Sequence, residues 1–444
     1  MNGMEDIFNY FIKNFNEIYR INPGEFKISY GIDNESIVQI ARNDNDYFNR
    51  TEPLNISDIA WKEWRDTSIP FLFDYIDKEN IITKSIDKVI INYDIIAAGF
   101  YLLSNWQEYV CGSKDMYGRF LFTESVQHQL KITEIPVVNY YFDILKNAIE
   151  IGYKIKLNNK LWDGKNLSVC ITHDIDLCES AWLQGSYREL RKGHIFSPVK
   201  LIARKIFGTD EWFNFRKIIE IENSYKCNST FFFLPEDRTR NGIPNADYKI
   251  TDPKFNKIFD LIEGNGSEVA VHGSIGTHNA GAHLRTEIAK TGREISGNRF
   301  HFLMYDAFYS PEVLSSSGLK YDSTLGFAEA VGFRNSICHP FYLYDIKNKR
   351  ITDVVEIPLT VMDVTFEKKY MKMEKEEAYK KMVALLEETE KFNGCFTLLW
   401  HNTYFSEYKF TGWKEIYCRF LEYAGGKKAL ITSGKNILRN FLNV

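Results

Sequence analysis

The chain has 444 residues, 44% of them apolar and 15% aromatic, and a formal net charge of −4. That length exceeds an average domain and implies two or three, while so apolar a composition excludes wholesale disorder. The slightly acidic balance excludes a general nucleic-acid binder, which carries a basic excess.

The opening segment MNGMEDIFNYFIKNFNEIY sets Ile7, Phe8, Phe11, Phe15 and Ile18 at helical spacing, which predicts an amphipathic helix rather than an export signal. KVIINYD reads as a strand, DIIAAGFYLLSNWQEY as one mostly buried helix, and DMYGRF as a turn. Residues 1–157 are therefore expected to form a smaller α+β domain, and no cluster of titratable residues there indicates its role. The polar stretch Asn158–Asn166 reads as a linker. No apolar run approaches the roughly 20 residues of a membrane helix. Seven scattered cysteines, never in a CxxC pair, suit a reducing compartment. The expectation is a soluble cytoplasmic protein that does not insert into membranes.

From residue 167 to 444 the pattern changes. Short β-rich runs (SVCITHD, STFFFLP, SEVAVHG, NRFHFLM, VVEIPLTV and CFTLLWH) alternate with helical segments, one opening at Ser310-Pro311 and another spanning about Glu374 to Phe392. Such alternation implies an α/β fold with a parallel sheet or barrel, where functional groups gather at the C-terminal ends of strands. Polar residues end nearly every run: His173-Asp174, His272, Arg299–His301 and His401.

Four of the nine histidines (272, 278, 283 and 301) fall within thirty residues. An aspartate with two histidines on neighbouring strand ends is the makeup of an open zinc site. Asp176 offers the carboxylate and His272 one imidazole. The third ligand is His301 or His278; a two-residue step from Arg299 along the expected strand favours His301. His283 reads as an ordinary hydrogen-bonded histidine. Asp174, on the face of Asp176, is then left as a base for an activated water. Arg299 is suited to hold that base ionised through a bidentate pair, and His401 to protonate a leaving group.

THDID, VHGS, GNRFHF and LLWHN, in this order, with STFFFLP after the first, resemble the motifs of the polysaccharide deacetylase superfamily, carbohydrate esterase family four. The resemblance implies a distorted (β/α) barrel that removes acetyl groups from sugars with a divalent metal, usually zinc. It makes Asp174 the base, Asp176 and His272 metal ligands, Arg299 the residue orienting the base, and His401 the general acid. Two positions depart from the family pattern. Gly276 stands where a second histidine usually follows His272, and His301 stands where proline usually follows the arginine. A ligand lost from one strand is thus replaced from the next. YDIIAAGFYLLSNWQEY and DMYGRF resemble the region preceding the barrel in a bacterial subgroup of these enzymes. YDSTLGF, GFRNS and VMD resemble subgroup elements around the site, which makes Asp322, Arg334 and Asp363 candidates for substrate contact or support. The expected substrate is an acetylated sugar or polysaccharide precursor. The alternatives are hydrolysis of a non-sugar amide or cyclic imide at the same metal site, or glycan binding by a catalytically inactive relative. Sugar, linkage and oligomeric state stay open.

Overall fold

A computed structural model describes residues 3–43, 47–50, 52–191, 199, 202–203, 210–240, 242–367, 369–406 and 409–443. The amphipathic pattern at the start forms helix α1 (Gly3–Tyr19), which buries Ile7, Phe11, Phe15 and Ile18. Six short strands follow: β1 (Ile28–Tyr30), β2 (Val38–Ile40), β3 (Ala60–Trp64), β4 (Thr67–Phe71), β5 (Ile82–Lys84) and β6 (Val89–Ile91). Four of them make a sheet in the order β1-β2-β6-β5, and β3 and β4 form a separate antiparallel pair.

The run expected as one buried helix divides into α2 (Ile95–Leu103) and α3 (Trp106–Val110). The break is at Asn105, which takes a left-handed conformation (φ 59°) and accepts a hydrogen bond from Asn335. Before it, the Ser104 hydroxyl donates back to the Phe100 carbonyl. Helix α4 (Val137–Tyr153) crosses the small sheet. The stretch read as a linker is pinned to the rest of the chain: among its bonds, the buried Trp162 donates to the Asn393 carbonyl (2.7 Å), and Lys160 donates to that of Phe441.

Ten further strands form one curled sheet: β7 (Ser168–Ile175), β8 (Thr230–Phe233), β9 (Glu268–Gly273), β10 (Gly297–Phe300), β11 (Tyr321–Asp322), β12 (Phe341–Asp345), β13 (Arg350–Glu356), β14 (Val361–Met362), β15 (Cys395–Leu399) and β16 (Leu430–Thr432). The order is β12-β13-β11-β10-β9-β8-β7-β15-β14, with β16 also on β7. Every pairing is parallel except β12 with β13, and the path leaves β12 and β14 as its edges, so the barrel stays open. VVEIPLTV is not one strand, because Pro358 cannot donate to a ladder and separates β13 from β14.

Successive side chains of a strand face opposite sides. Cys170, Phe232, Ala270 and Tyr321 face the concave interior, where Trp162, Ile437, Leu438 and Phe441 complete an apolar floor. Val169, Ile171, Phe231, Phe233 and Val271 belong to the larger core shared with the surrounding helices. On β7 the inward row climbs from Cys170 through Thr172 and Asp174 to Asp176, just past the strand. That row leads to the mouth of the barrel.

Candidate active site

Asp176, His272 and His301 each present one ligand atom, and these atoms lie within 4.8 Å of one another. His272, near the end of β9, donates from Nδ1 to the Arg299 carbonyl (2.7 Å), which leaves Nε2 free to face the group. His301 turns Nε2 toward the Pro244 carbonyl (3.4 Å), so its Nδ1 faces inward, 3.2 Å from His272 Nε2. Asp176 Oδ1 is 3.4 Å from His272 Nε2 and 3.6 Å from His301 Nδ1. It is buried and, among the described residues, accepts no hydrogen bond. One orphaned carboxylate oxygen and two inward-facing imidazole nitrogens are the donor set of an open three-ligand zinc site, so these residues fit a divalent metal.

Charge follows the same logic. Burial would raise the Asp176 carboxyl, but His301, His272 and His401 outweigh it and hold the group well below the usual carboxylate range. Burial pulls His301 down to about 4, which keeps it a neutral imidazole. For His272 burial lowers the pKa, yet Asp174 and Asp176 more than offset it, leaving the ring raised.

His278 lies outside the group, its ring edge-on to Phe300. His283, on a separate helix (Gly281–Lys290), accepts a hydrogen bond from Arg240 (2.7 Å). His301 does not reach the group by the strand parity expected, because β10 ends at Phe300 and His301 opens a 3₁₀ turn, His301–Leu303. Gly276 has φ +85°, and a Cβ there would meet the Arg240 guanidinium carbon at 2.9 Å. A histidine at that position would be both strained and crowded.

Two pairs flank these three residues. Asp174, 3% exposed, accepts from Arg299 Nη1 through Oδ1 (2.8 Å). Arg299 is fully buried above the Phe232 ring; it also donates to Thr172 Oγ1 (2.8 Å), the Ser323 carbonyl (2.7 Å) and Ser323 Oγ (2.9 Å). On the other side, Asp363 receives the His401 backbone N–H (2.6 Å) and its Nδ1–H (2.7 Å). His401 Nε2 is therefore turned toward that group, 3.7 Å from Asp176 Oδ2. Burial lowers the His401 pKa, but the charge and hydrogen bond of Asp363, followed by Asp176 and Asp174, raise it to about 10.

Residues 4–154 match a family of unknown function, DUF7033. No curated protein matches the chain. Among solved structures, a presumed polysaccharide deacetylase from Mycobacterium smegmatis is similar at 17% identity and a TM-score of 0.42, covering 63% of this chain and 92% of that one. A CE4 family pseudoenzyme from Bacillus anthracis is similar at 12% identity and a TM-score of 0.30, covering 61% of this chain and 65% of the other. A 4-alpha-glucanotransferase from Thermococcus litoralis is similar at 12% identity and a TM-score of 0.36, over 61% of this chain and 38% of its own.

The remaining residues singled out in the sequence have different surroundings. Asp322 is buried on β11, where it accepts from Asn298 (2.6 Å) and Thr324 (3.0 Å) and does not line the cavity. Arg334 is also buried away from it, making a two-pronged pair with Glu108 of α3 (2.8 and 2.7 Å). His173 faces the opposite side of β7 from the aspartates, between the Trp400 carbonyl and Glu222.

The cavity itself has a volume of about 180 Å³. Besides Asp174, Asp176, His272, His301 and His401, it is lined by Leu303, Ala328, Met362, Tyr370 and Arg119. Sequence reasoning missed these. Leu303, Ala328 and Met362 carry no chemical signature, and Arg119 comes from the DMYGRF turn, nearly two hundred residues from the nearest cavity residue it touches.

Proposed function

We propose that this protein is a metal-dependent hydrolase that removes the acetyl group of an acetamido sugar, acting on an acetylated sugar or polysaccharide precursor. The observation that carries the reading is that Asp174, backed by Arg299, and His401, backed by Asp363, line one cavity on either side of the Asp176, His272 and His301 group. The ordered motifs support it, and so does the apolar wall of Leu303, Ala328 and Met362, which suits a methyl group.

Asp176, His272 and His301 would hold the cation, and their donor set suits Zn2+. Such a cation supplies Lewis acidity, polarising an acyl carbonyl and making water more acidic. Asp174 takes the proton of the attacking water through Oδ2, while Arg299 holds Oδ1 and keeps the carboxylate aimed. As the C–N bond breaks, His401 gives its Nε2 proton to the leaving nitrogen. Acetate and a free amine result. Its raised pKa keeps His401 protonated at neutral pH, the state a general acid needs. All seven cysteines are unpaired, which supports action on a cytoplasmic precursor.

The test is acetate release from N-acetylated hexosamines, free and nucleotide-linked, by zinc-loaded protein. Release is expected to stop with chelator, with Asp176→Ala and with Asp174→Asn. Release that persists through chelation and Asp176→Ala refutes the reading. Turnover of cyclic imides alone would reassign the substrate, and sugar binding without turnover would make the protein a glycan binder.

A further inference from the structure

The DMYGRF turn of the N-terminal region reaches the mouth of the barrel. Lys114 and Phe120 pair across it, Gly118 turns it (φ 87°), and Asp115 ties it by accepting from the backbone N–H groups of Tyr117 and Arg119 (both 2.9 Å) and from Arg119 Nε (2.8 Å). So braced, Arg119 is 7% exposed and donates from Nη1 to the Phe302 carbonyl (3.2 Å) and from Nη2 to Glu329 (3.0 Å). The Tyr117 ring lies against the Phe302 ring, 5.1 Å between centroids.

Phe302 is an unusual residue to hold in this way. It and Leu303 are consecutive non-glycine residues with positive φ, 58° and 55°. L-residues avoid that region, and such a pair persists only where its surroundings impose it. Phe302 also directly follows His301, whose ring, among the described residues, has just one other polar tether besides Asp176 and His272, the 3.4 Å approach to Pro244. The direction of His301 Nδ1 therefore depends on the backbone at 302, and the backbone at 302 is fixed from the N-terminal region.

We propose that Arg119 is a positioning residue of the metal centre: by clamping the Phe302 carbonyl it holds the left-handed turn that aims His301 at Asp176 and His272. This rests on the reading of those three residues as metal ligands, and it gives the N-terminal region a role in building the site. Partners that orient a metal ligand typically alter affinity about 10–100-fold when removed.

The experiment measures zinc affinity of the full chain by competition with a chromophoric chelator, without any sugar. Arg119→Lys keeps the charge but cannot serve Asp115, Phe302 and Glu329 together, and it is expected to weaken zinc binding at least tenfold. Phe302→Gly, which tolerates the left-handed turn unaided, should restore most of that loss in the double variant; a merely structural arginine would give no such rescue. Zinc affinity within twofold of the unaltered protein, even with a lower thermal midpoint, overturns the proposal. Should Arg119→Lys fail to fold, Tyr117→Leu loosens the same residue, Phe302, at its ring, with a threefold or greater loss expected and an unchanged affinity overturning the proposal. If the unaltered chain binds no zinc, the metal reading fails instead. The positioning role is then decided by a crystal structure of Arg119→Lys: displacement of His301 Nδ1 from its 3.6 Å approach to Asp176 supports it, and an unmoved ring overturns it.

Discussion

Replacing Arg299 with methionine removes one partner of a fully buried ion pair while leaving a side chain of similar length. The carboxylate of Asp174, 3% exposed, would lose its guanidinium donor, and the Ser323 carbonyl would lose a 2.7 Å hydrogen bond. Thr172 and Ser323 keep their own donated bonds to Leu398 and Ile357, so the damage centres on Asp174. Breaking a buried pair from one side costs about 3–5 kcal/mol, because the remaining charge stays desolvated. We therefore expect Arg299→Met to lower the unfolding free energy by about 3–5 kcal/mol at pH 7, read from urea denaturation followed by tryptophan fluorescence. Adding Asp174→Asn should cost far less in the methionine background than in the unaltered chain, giving a coupling of about 2 kcal/mol or more. Arg299→Lys should recover only part of the loss, since one ammonium cannot reach both Ser323 and Asp174. A loss below about 1 kcal/mol, the scale of an exposed pair, would refute the claim that this pair is buried and locked.

Four further outcomes follow from named contacts. Asp363→Asn leaves His401 without its anionic partner and should cut acetyl hydrolysis about 100-fold, with the acidic-group limb of the pH profile moving to lower pH; a profile that does not move would remove Asp363 from the acid's support. Zinc at about 1,000 times its Kd should stabilise the fold by about 4 kcal/mol, an effect lost in Asp176→Ala and checked by thermal denaturation with and without chelator. Burial pulls the Lys160 ammonium down to about 8, below the roughly 10.4 of an unfolded chain. Between those values the unfolded chain binds more protons, so this group adds stability as pH rises through the window; relative to Lys160→Met, the urea midpoint should climb from pH 8 to 10. Gly332 has φ +128°, and a Cβ there would meet the Thr133 carbonyl oxygen at 2.2 Å. Gly332→Ala should cost about 2 kcal/mol or more in the same assay.

Much of the barrel was legible because its signals are local. Alternating side chains on β7 put Asp174 and Asp176 on one face and His173 on the other, and that parity depends on nothing beyond the strand itself. The same holds for apolar runs ending in polar residues, which mark strand tips in a parallel sheet, and for the helical spacing of Ile7, Phe11, Phe15 and Ile18. Legibility failed where a remote contact overrides local preference. DIIAAGFYLLSNWQEY reads as one helix because the Asn335 side chain that bonds Asn105 lies more than two hundred residues away. NRFHFLM reads as one strand because nothing in it announces a left-handed Phe302, which Arg119 and Tyr117 hold from the N-terminal region.

The candidate site divides along the same line. Its chemical parts were determined by the sequence alone: an Asp-x-Asp at a strand end, histidines at 272, 301 and 401, and an arginine at 299. Which histidine lies beside Asp176 and His272, that Asp363 grips His401 while Asp322 and Arg334 stay outside the cavity, and that Arg119 reaches its wall were decided only by the tertiary structure. Residue type and spacing fix which direction a side chain leaves its own strand. Convergence within a few ångströms depends on how separate elements pack, and packing is a property of the whole chain.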